Sequence, residues 1–146
     1  MKTPKNTLIR SVKRLYLLMN YHIEEELKSY GLARSQFQVI YFLYQERKLS
    51  QKDLQIVMQV EPATLTVIID SLEKKGLLKR VVSKTDKRSR TLQLTAKGQK
   101  LRESIPSINK IMETRMFRGI EAADKKQMKA LFEKIIQNLE KRNGNN

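Results

Sequence analysis

Apolar positions in this chain recur every three or four residues over most of its length and alternate in only one short stretch. Val12, Tyr16, Met19, Ile23, Leu27 and Tyr30 form the first stripe, widened by Leu8, Leu15 and Leu18. This predicts a long helix from about Lys5 to Tyr30. Gly31 closes it, and a second helix is predicted over Arg34 to Gln45 with Phe37, Ile40, Tyr41 and Tyr44 facing inward. Ala33 offers no side-chain cap there, a loss of about 1 kcal/mol unless Ser35 substitutes. Ser50 and Asp53 make an S-x-x-D capping box ahead of Leu54, Val57 and Met58, the inward face of a short third helix. Pro62 suits the first position of a fourth helix and Gly76 its end, with Leu65, Ile68, Ile69 and Leu72 as the buried stripe.

After Gly76 the period drops to two. Leu78, Arg80 and Val82, then Arg90, Leu92 and Leu94, form two strand-length runs of a hairpin. Its tip, Ser83 to Ser89, sets Lys84, Lys87 and Arg88 against one acid, Asp86. Thr95 can then cap a helix through Leu101, Ile105, Ile108 and Met112, in which Pro106 predicts a bend rather than a termination. Past a break near Gly119, the last helix is predicted over roughly Asp124 to Arg142, with Met128, Leu131, Phe132, Ile135, Ile136 and Leu139 on its apolar side. Helix, turn, helix, basic hairpin is the layout of a winged helix-turn-helix. The expected fold is therefore mainly α with a small β-hairpin (α+β), a winged helix-turn-helix flanked by N- and C-terminal dimerisation helices. A single domain is expected over 1–146, with the DNA-binding region at 34–95 and dimerisation helices at 5–30 and 96–142.

Charge sharpens this picture. Among 146 residues, 30 Lys and Arg stand against 15 acids, a net charge of +15 that implies a polyanionic partner. The amino-terminal stretch through Ile23 has five Lys and Arg and no acid. No Cys is present, which excludes disulfides, thiolate metal sites and cysteine-based peroxide sensing. The longest apolar run, Val39 to Tyr44, is far short of the ~20 residues that cross a bilayer. With no secretory pattern at the N-terminus, a cytoplasmic protein is the default.

On the fourth helix, the face opposite the buried stripe collects Ala63, Val67, Asp70 and Lys74, flanked by Thr64 and Thr66. Such a small, mixed face can approach a groove closely. The two threonines are candidates to bond bases or phosphates, and Ala63 and Val67 to meet thymine methyls. Lys74 is a candidate phosphate contact; Asp70 accepts from a cytosine amino group or pairs within the protein. Lys84, Lys87, Arg88 and Arg90 are the hairpin's candidate DNA contacts, against the plainer reading of a solvated charged turn. Asp86 is read as pairing with a neighbouring Arg and shaping the hairpin. Arg34, Ser35, Gln36 and Lys52 are second-rank phosphate candidates at helix starts. His22 has Glu25 and Glu26 at helical spacing, but one imidazole makes a poor metal site, and no metal or other cofactor is expected. No nucleotide loop, nucleophile elbow or catalytic pair is present, so the chain is read as a non-enzyme.

Several pieces in this order, Leu49-Ser50-Gln51-Lys52-Asp53-Leu54, Glu61-Pro62-Ala63-Thr64-Leu65-Thr66, Leu72-Glu73-Lys74-Lys75-Gly76-Leu77, Asp86-Lys87-Arg88-Ser89-Arg90 and Leu94-Thr95-Ala96-Lys97-Gly98, carry a resemblance. The chain resembles the multiple antibiotic resistance regulator (MarR) family of transcription factors over nearly its whole length. The resemblance implies a homodimeric, sequence-specific regulator of double-stranded DNA, a repressor acting on a pseudo-palindromic operator. Arg88 stands at the position whose Arg commonly enters the minor groove. It also implies release by a small aromatic or phenolic ligand, for which Tyr16, Phe37 and Tyr41 are available, although aromatics at this spacing are more often core.

Two other classes fit the bulk charge: a constitutive, low-specificity nucleic-acid-binding protein without ligand sensing, and a module whose basic first helix lies on anionic lipid. For the operator reading, a dimer that neutralises about 6–10 phosphates is expected to lose about 10³–10⁵ in affinity between about 50 and about 200 mM salt. A shallow slope in an anisotropy titration counts against it.

Overall fold

The computed structural model describes residues 7–82, 84–86, 88 and 90–141. Its elements are α1 (Leu8–Lys28), α2 (Arg34–Glu46), β1 (Leu49–Ser50), α3 (Gln51–Met58), α4 (Pro62–Lys74), β2 (Leu78–Val82), β3 (Arg90–Leu94), α5 (Ala96–Ser104), α6 (Ile108–Met116) and α7 (Ala122–Glu140). They fall into two compact units, Met1–Ile108 and Asn109–Asn146. The fold is mainly α with one small sheet, as the periodicity predicts.

In the first unit, the core forms where α2 meets α1, α4, α5 and β3. Leu27, Val39, Ile40, Leu54, Leu65, Ile69 and Leu72 are wholly enclosed, each contributing about 1.5–3 kcal/mol of burial. The inward face of α2 differs from the predicted one. Val39, Ile40 and Leu43 are buried, Phe37 is half-buried, and Tyr41 and Tyr44 are exposed. Covered on several sides, α2 does not keep a single amphipathic stripe, and its aromatic ridge lies at the edge of the core. On α3 only Leu54 is buried, while Val57 faces solvent and Met58 is half-buried. A helix of eight residues presents little more than one turn inward.

The sheet has three strands rather than two, in the antiparallel order β1-β3-β2. Leu49 pairs with Leu92 and leads directly into the capping box. There the Ser50 hydroxyl donates to Asp53 Oδ2 at 2.7 Å, the Ser50 N–H donates to the same oxygen at 2.9 Å, and the Asp53 N–H donates back to Ser50 Oγ at 3.0 Å. The Ser50 hydroxyl and then its N–H hold the Asp53 carboxyl below the usual carboxylate range. This cap is complete at neutral pH and is lost as pH falls through that lowered pKa. At α2 the missing cap is met from the other side: Gln36 Oε1 accepts the Ala33 N–H at 3.0 Å.

Pro106 ends a helix instead of bending one. Ile105 is extended (φ −84°, ψ 120°), the conformation a following proline enforces, so α5 stops at Ser104 and α6 starts at Ile108. In the second unit, Gly119 turns the chain at φ +76° between α6 and α7. Lys125 pairs with Glu113 at 3.2 Å and lies 4.9 Å from the Phe117 ring centre. No described residue of α7 is buried; Leu131, Phe132, Ile135, Ile136 and Leu139 are 41–65% exposed. Along α1, Leu8, Val12, Leu15, Tyr16 and Leu18 are likewise exposed, and only Leu27 is buried. The predicted helix ends at Lys5 and Arg142 lie outside the described residues.

Gly98 sits where α5 closes on the start of β2. A Cβ there would lie 2.0 Å from the Leu77 carbonyl oxygen and 3.0 Å from its carbon, a clash with backbone that no rotamer relieves. Gly98→Ala is therefore expected to cost about 1–3 kcal/mol or more, read as a lowered melting temperature. An unchanged melting curve would remove this contact from the account.

Candidate nucleic-acid interface

α4 is fastened along its whole length. Leu65, Ile68, Ile69 and Leu72 anchor its buried side. Gln51 Nε2 donates to Thr66 Oγ1 at 2.8 Å, and that hydroxyl donates to the Pro62 carbonyl at 3.0 Å. Gln36 Nε2 donates to Ser71 Oγ at 2.9 Å, tying α2 to α4. At the far end, Lys97 Nζ donates to the Lys75 carbonyl at 2.9 Å and Thr95 Oγ1 to the Gly76 carbonyl at 2.6 Å. The same Thr95 oxygen accepts the Gly98 N–H and caps α5. The carbonyls just past α4 are thus satisfied by the start of α5, while the N–H groups of Lys75, Leu77 and Gly76 bond back to the Ser71, Leu72 and Glu73 carbonyls of α4.

Arg80 on β2 adds a clamp that the sequence reading missed. Its Nη2 donates to Asp70 Oδ1 and its Nη1 to Glu73 Oε2, both at 2.7 Å. The bond to Asp70 raises the pKa of Arg80, partial burial opposes that shift, and Glu73 reinforces it. The guanidinium stays charged, and the root of the hairpin is fixed to the exposed side of α4. Nothing local in the sequence signals this pairing, because Asp70 and Arg80 stand ten residues apart across a helix end and a strand start. Asp70 pairs within the protein, the second of its two expected roles.

The exposed side of α4 then carries Ala63, Thr64, Val67 and Lys74. Thr66 is half-buried, and its hydroxyl joins α3 to α4. On the hairpin, Lys84, Arg88 and Arg90 are exposed, and Lys87 lies outside the described residues. Asp86 Oδ1 accepts the Arg88 N–H at 2.9 Å, so it shapes the tip by holding backbone. Lys52 is exposed on α3 and Ser35 half-buried on α2. Arg34 and Gln36 are half-buried and make bonds within the protein. Arg34 Nη1 donates to Asn20 Oδ1 at 3.0 Å, and Gln36 has its amide nitrogen on Ser71 and its oxygen on Ala33 and Lys75.

The aromatic residues of α2 hold a cation. The Arg102 guanidinium carbon of α5 lies 5.5 Å from the Phe37 ring centre, 5.6 Å from Tyr41 and 5.5 Å from Tyr44. Its Nη1 donates to the Ile105 carbonyl at 3.2 Å. Phe37 and Tyr41 therefore dock α5 onto α2 through cation–π contact. Tyr16 stands beside Asn20 and Arg34, which lower the pKa of its hydroxyl. His22 is half-buried, and among the described residues no cluster of three or more His, Cys, Asp or Glu is placed to hold a metal.

With this geometry in place, similarity to known proteins is informative. The MarR family model matches residues 32–89, from just before α2 to the residue before β3. The HTH-type transcriptional regulator SarZ of Staphylococcus saprophyticus is 30% identical over 114 residues, covering 75% of this chain and 78% of that protein. The chain belongs to the MarR family of DNA-binding transcriptional regulators. Among solved structures, a complex of Staphylococcus aureus MepR with DNA has a TM-score of 0.79 at 26% identity, over 92% of this chain and 99% of that one. Apo Escherichia coli MarR, at 20% identity, shares the fold with a TM-score of 0.75 over 90% and 98% of the two chains. Among the described residues no helix is long and apolar enough to cross a membrane.

The Arg80 clamp yields a separable expectation. Arg80→Ala leaves Asp70 and Glu73 uncompensated on α4 and is expected to weaken duplex binding on the order of tenfold. Adding Asp70→Asn is expected to recover part of that loss. No recovery in a binding titration would mean that Arg80 acts on folding alone.

Proposed function

We propose that this MarR-family chain is a homodimeric repressor that blocks transcription by occupying a pseudo-palindromic operator. The observation that carries the reading is the joining of a firmly held, exposed α4 to a cationic hairpin on one rigid sheet. In the proposal α4 lies in the major groove, with Ala63, Thr64 and Val67 toward the bases and Lys74 toward a phosphate. Lys84, Lys87, Arg88 and Arg90 grip the adjacent strand or minor groove. Lys52 and Ser35 supply outer phosphate contacts.

Dimerisation is supported by the exposed apolar rows of α1 and α7, since contiguous apolar surface of this kind calls for a partner. On this reading 1–146 works as one domain, with 34–95 reading DNA and the helices of 5–30 and 96–142 joining two copies. The protein then acts in the cytoplasm, by binding rather than catalysis. Release follows the family pattern: a small aromatic or phenolic ligand that prefers one spacing of the two α4 helices shifts the dimer away from the operator-bound spacing.

A second reading, the low-specificity nucleic-acid binder, is favoured by the net charge of +15. Selection of bound duplexes from a random pool, with sizing of the complex, separates the two. The repressor is expected to enrich an inverted repeat with half-sites about 10 bp apart and to bind as two chains. It is also expected to retain about a thousandfold preference over competitor DNA. One chain per duplex, or no enriched repeat, would overturn it.

A further inference from the structure

We propose that α4 reads A·T pairs through thymine methyl groups, with Val67 and Ala63 as the side chains that set specificity. This rests on the placement of α4 in the major groove proposed above.

The case is one of chemical elimination on a face whose groups are all placed. Val67 is 69% exposed in the middle of α4, and Ala63 is exposed one turn earlier with Thr64 beside it. Among the described residues of α4 from Pro62 to Ser71 there is no Arg, Lys, Asn or Gln. The paired donors and acceptors that read guanine or adenine edges are therefore absent from this stretch. Of the polar side chains in it, Thr66 is engaged with Gln51 and Pro62, Ser71 with Gln36, and Asp70 with Arg80. The exposed Thr64 hydroxyl can bond either kind of base pair and so does not discriminate between them. Asp70, the one residue suited to a cytosine amino group, already carries a guanidinium at 2.7 Å. What α4 offers instead is the Ala63 methyl and the two Val67 methyls. The thymine C5 methyl is the major-groove feature that an apolar side chain reads. Four residues of helix rise about 6 Å, so Ala63 and Val67 together reach about two base-pair steps.

The test uses the unsubstituted full-length protein, duplexes selected from a random pool, and the same duplexes with single thymines replaced by uracil. That replacement removes the C5 methyl and leaves every hydrogen-bonding group unchanged. At one or two positions per half-site, affinity is expected to fall about three- to fivefold for each methyl removed. Val67→Ala is expected to weaken binding to the thymine duplex and to bring the thymine-to-uracil ratio at one position close to one. Because Val67 is exposed, this variant keeps the core of α4 intact.

Equal binding of thymine and uracil duplexes by the unsubstituted protein would overturn the proposal. So would a ratio unmoved by Val67→Ala, which would assign the exposed valine to another partner. Failure to bind any duplex would instead overturn the DNA reading on which it rests.

Discussion

Everything at the DNA-facing side depends on the burial of Leu65, Ile68, Ile69 and Leu72 beneath α4. Four large aliphatic side chains on one face supply several kcal/mol, and that face can be satisfied in only one rotational setting. The opposite face is thereby aimed outward. Burial alone still allows the helix to slide or tilt. Polar ties from α2, α3, β2 and the start of α5 remove that freedom. On the proposed placement in a groove about 12 Å wide, α4 gains from such restraint, because ordering it on contact would reduce affinity.

The electrostatics divide along the same line. Four acids close to the proposed DNA surface are tied internally: Asp53 to Ser50, Asp70 and Glu73 to Arg80, and Asp86 to the Arg88 N–H. Cations at Lys52, Lys74, Lys84, Arg88 and Arg90 face solvent. In the proposal these cations meet the phosphate backbone, while the face of α4 between Pro62 and Ser71 is small and largely apolar. Affinity and selectivity fall to different side chains. Lys75, Lys97 and Arg102, like Arg34 and Arg80, are instead engaged within the first unit.

Much of this architecture was legible in local patterns. Pro62 and Gly76 bracket α4, its four buried residues follow from helical spacing, and the S-x-x-D box and the Thr95 cap form as local hydrogen-bonding geometry requires. These features involve residues within a few positions of one another, so the chain carries them without help from the rest of the fold. The exposed rows of α1 and α7 belong to the same class: apolar periodicity shows that a face seeks cover without saying what supplies it.

What the tertiary structure decided involves partners distant along the chain. Strand β1 exists because β3 presents a free edge to Leu49, and two residues carry no alternation to reveal it. Arg80 finds Asp70, Gln36 finds Ser71, Gln51 finds Thr66, and Arg102 settles among Phe37, Tyr41 and Tyr44 only once the helices are packed. For that reason the internal bonds of Thr66, Arg34 and Gln36, which hold helices together, could not be read from the sequence. The chain by itself specified its helices, its cationic hairpin and its family. Which polar groups were left facing outward was set by packing, because a side-chain hydrogen bond is won by whichever partner the fold brings within about 3 Å.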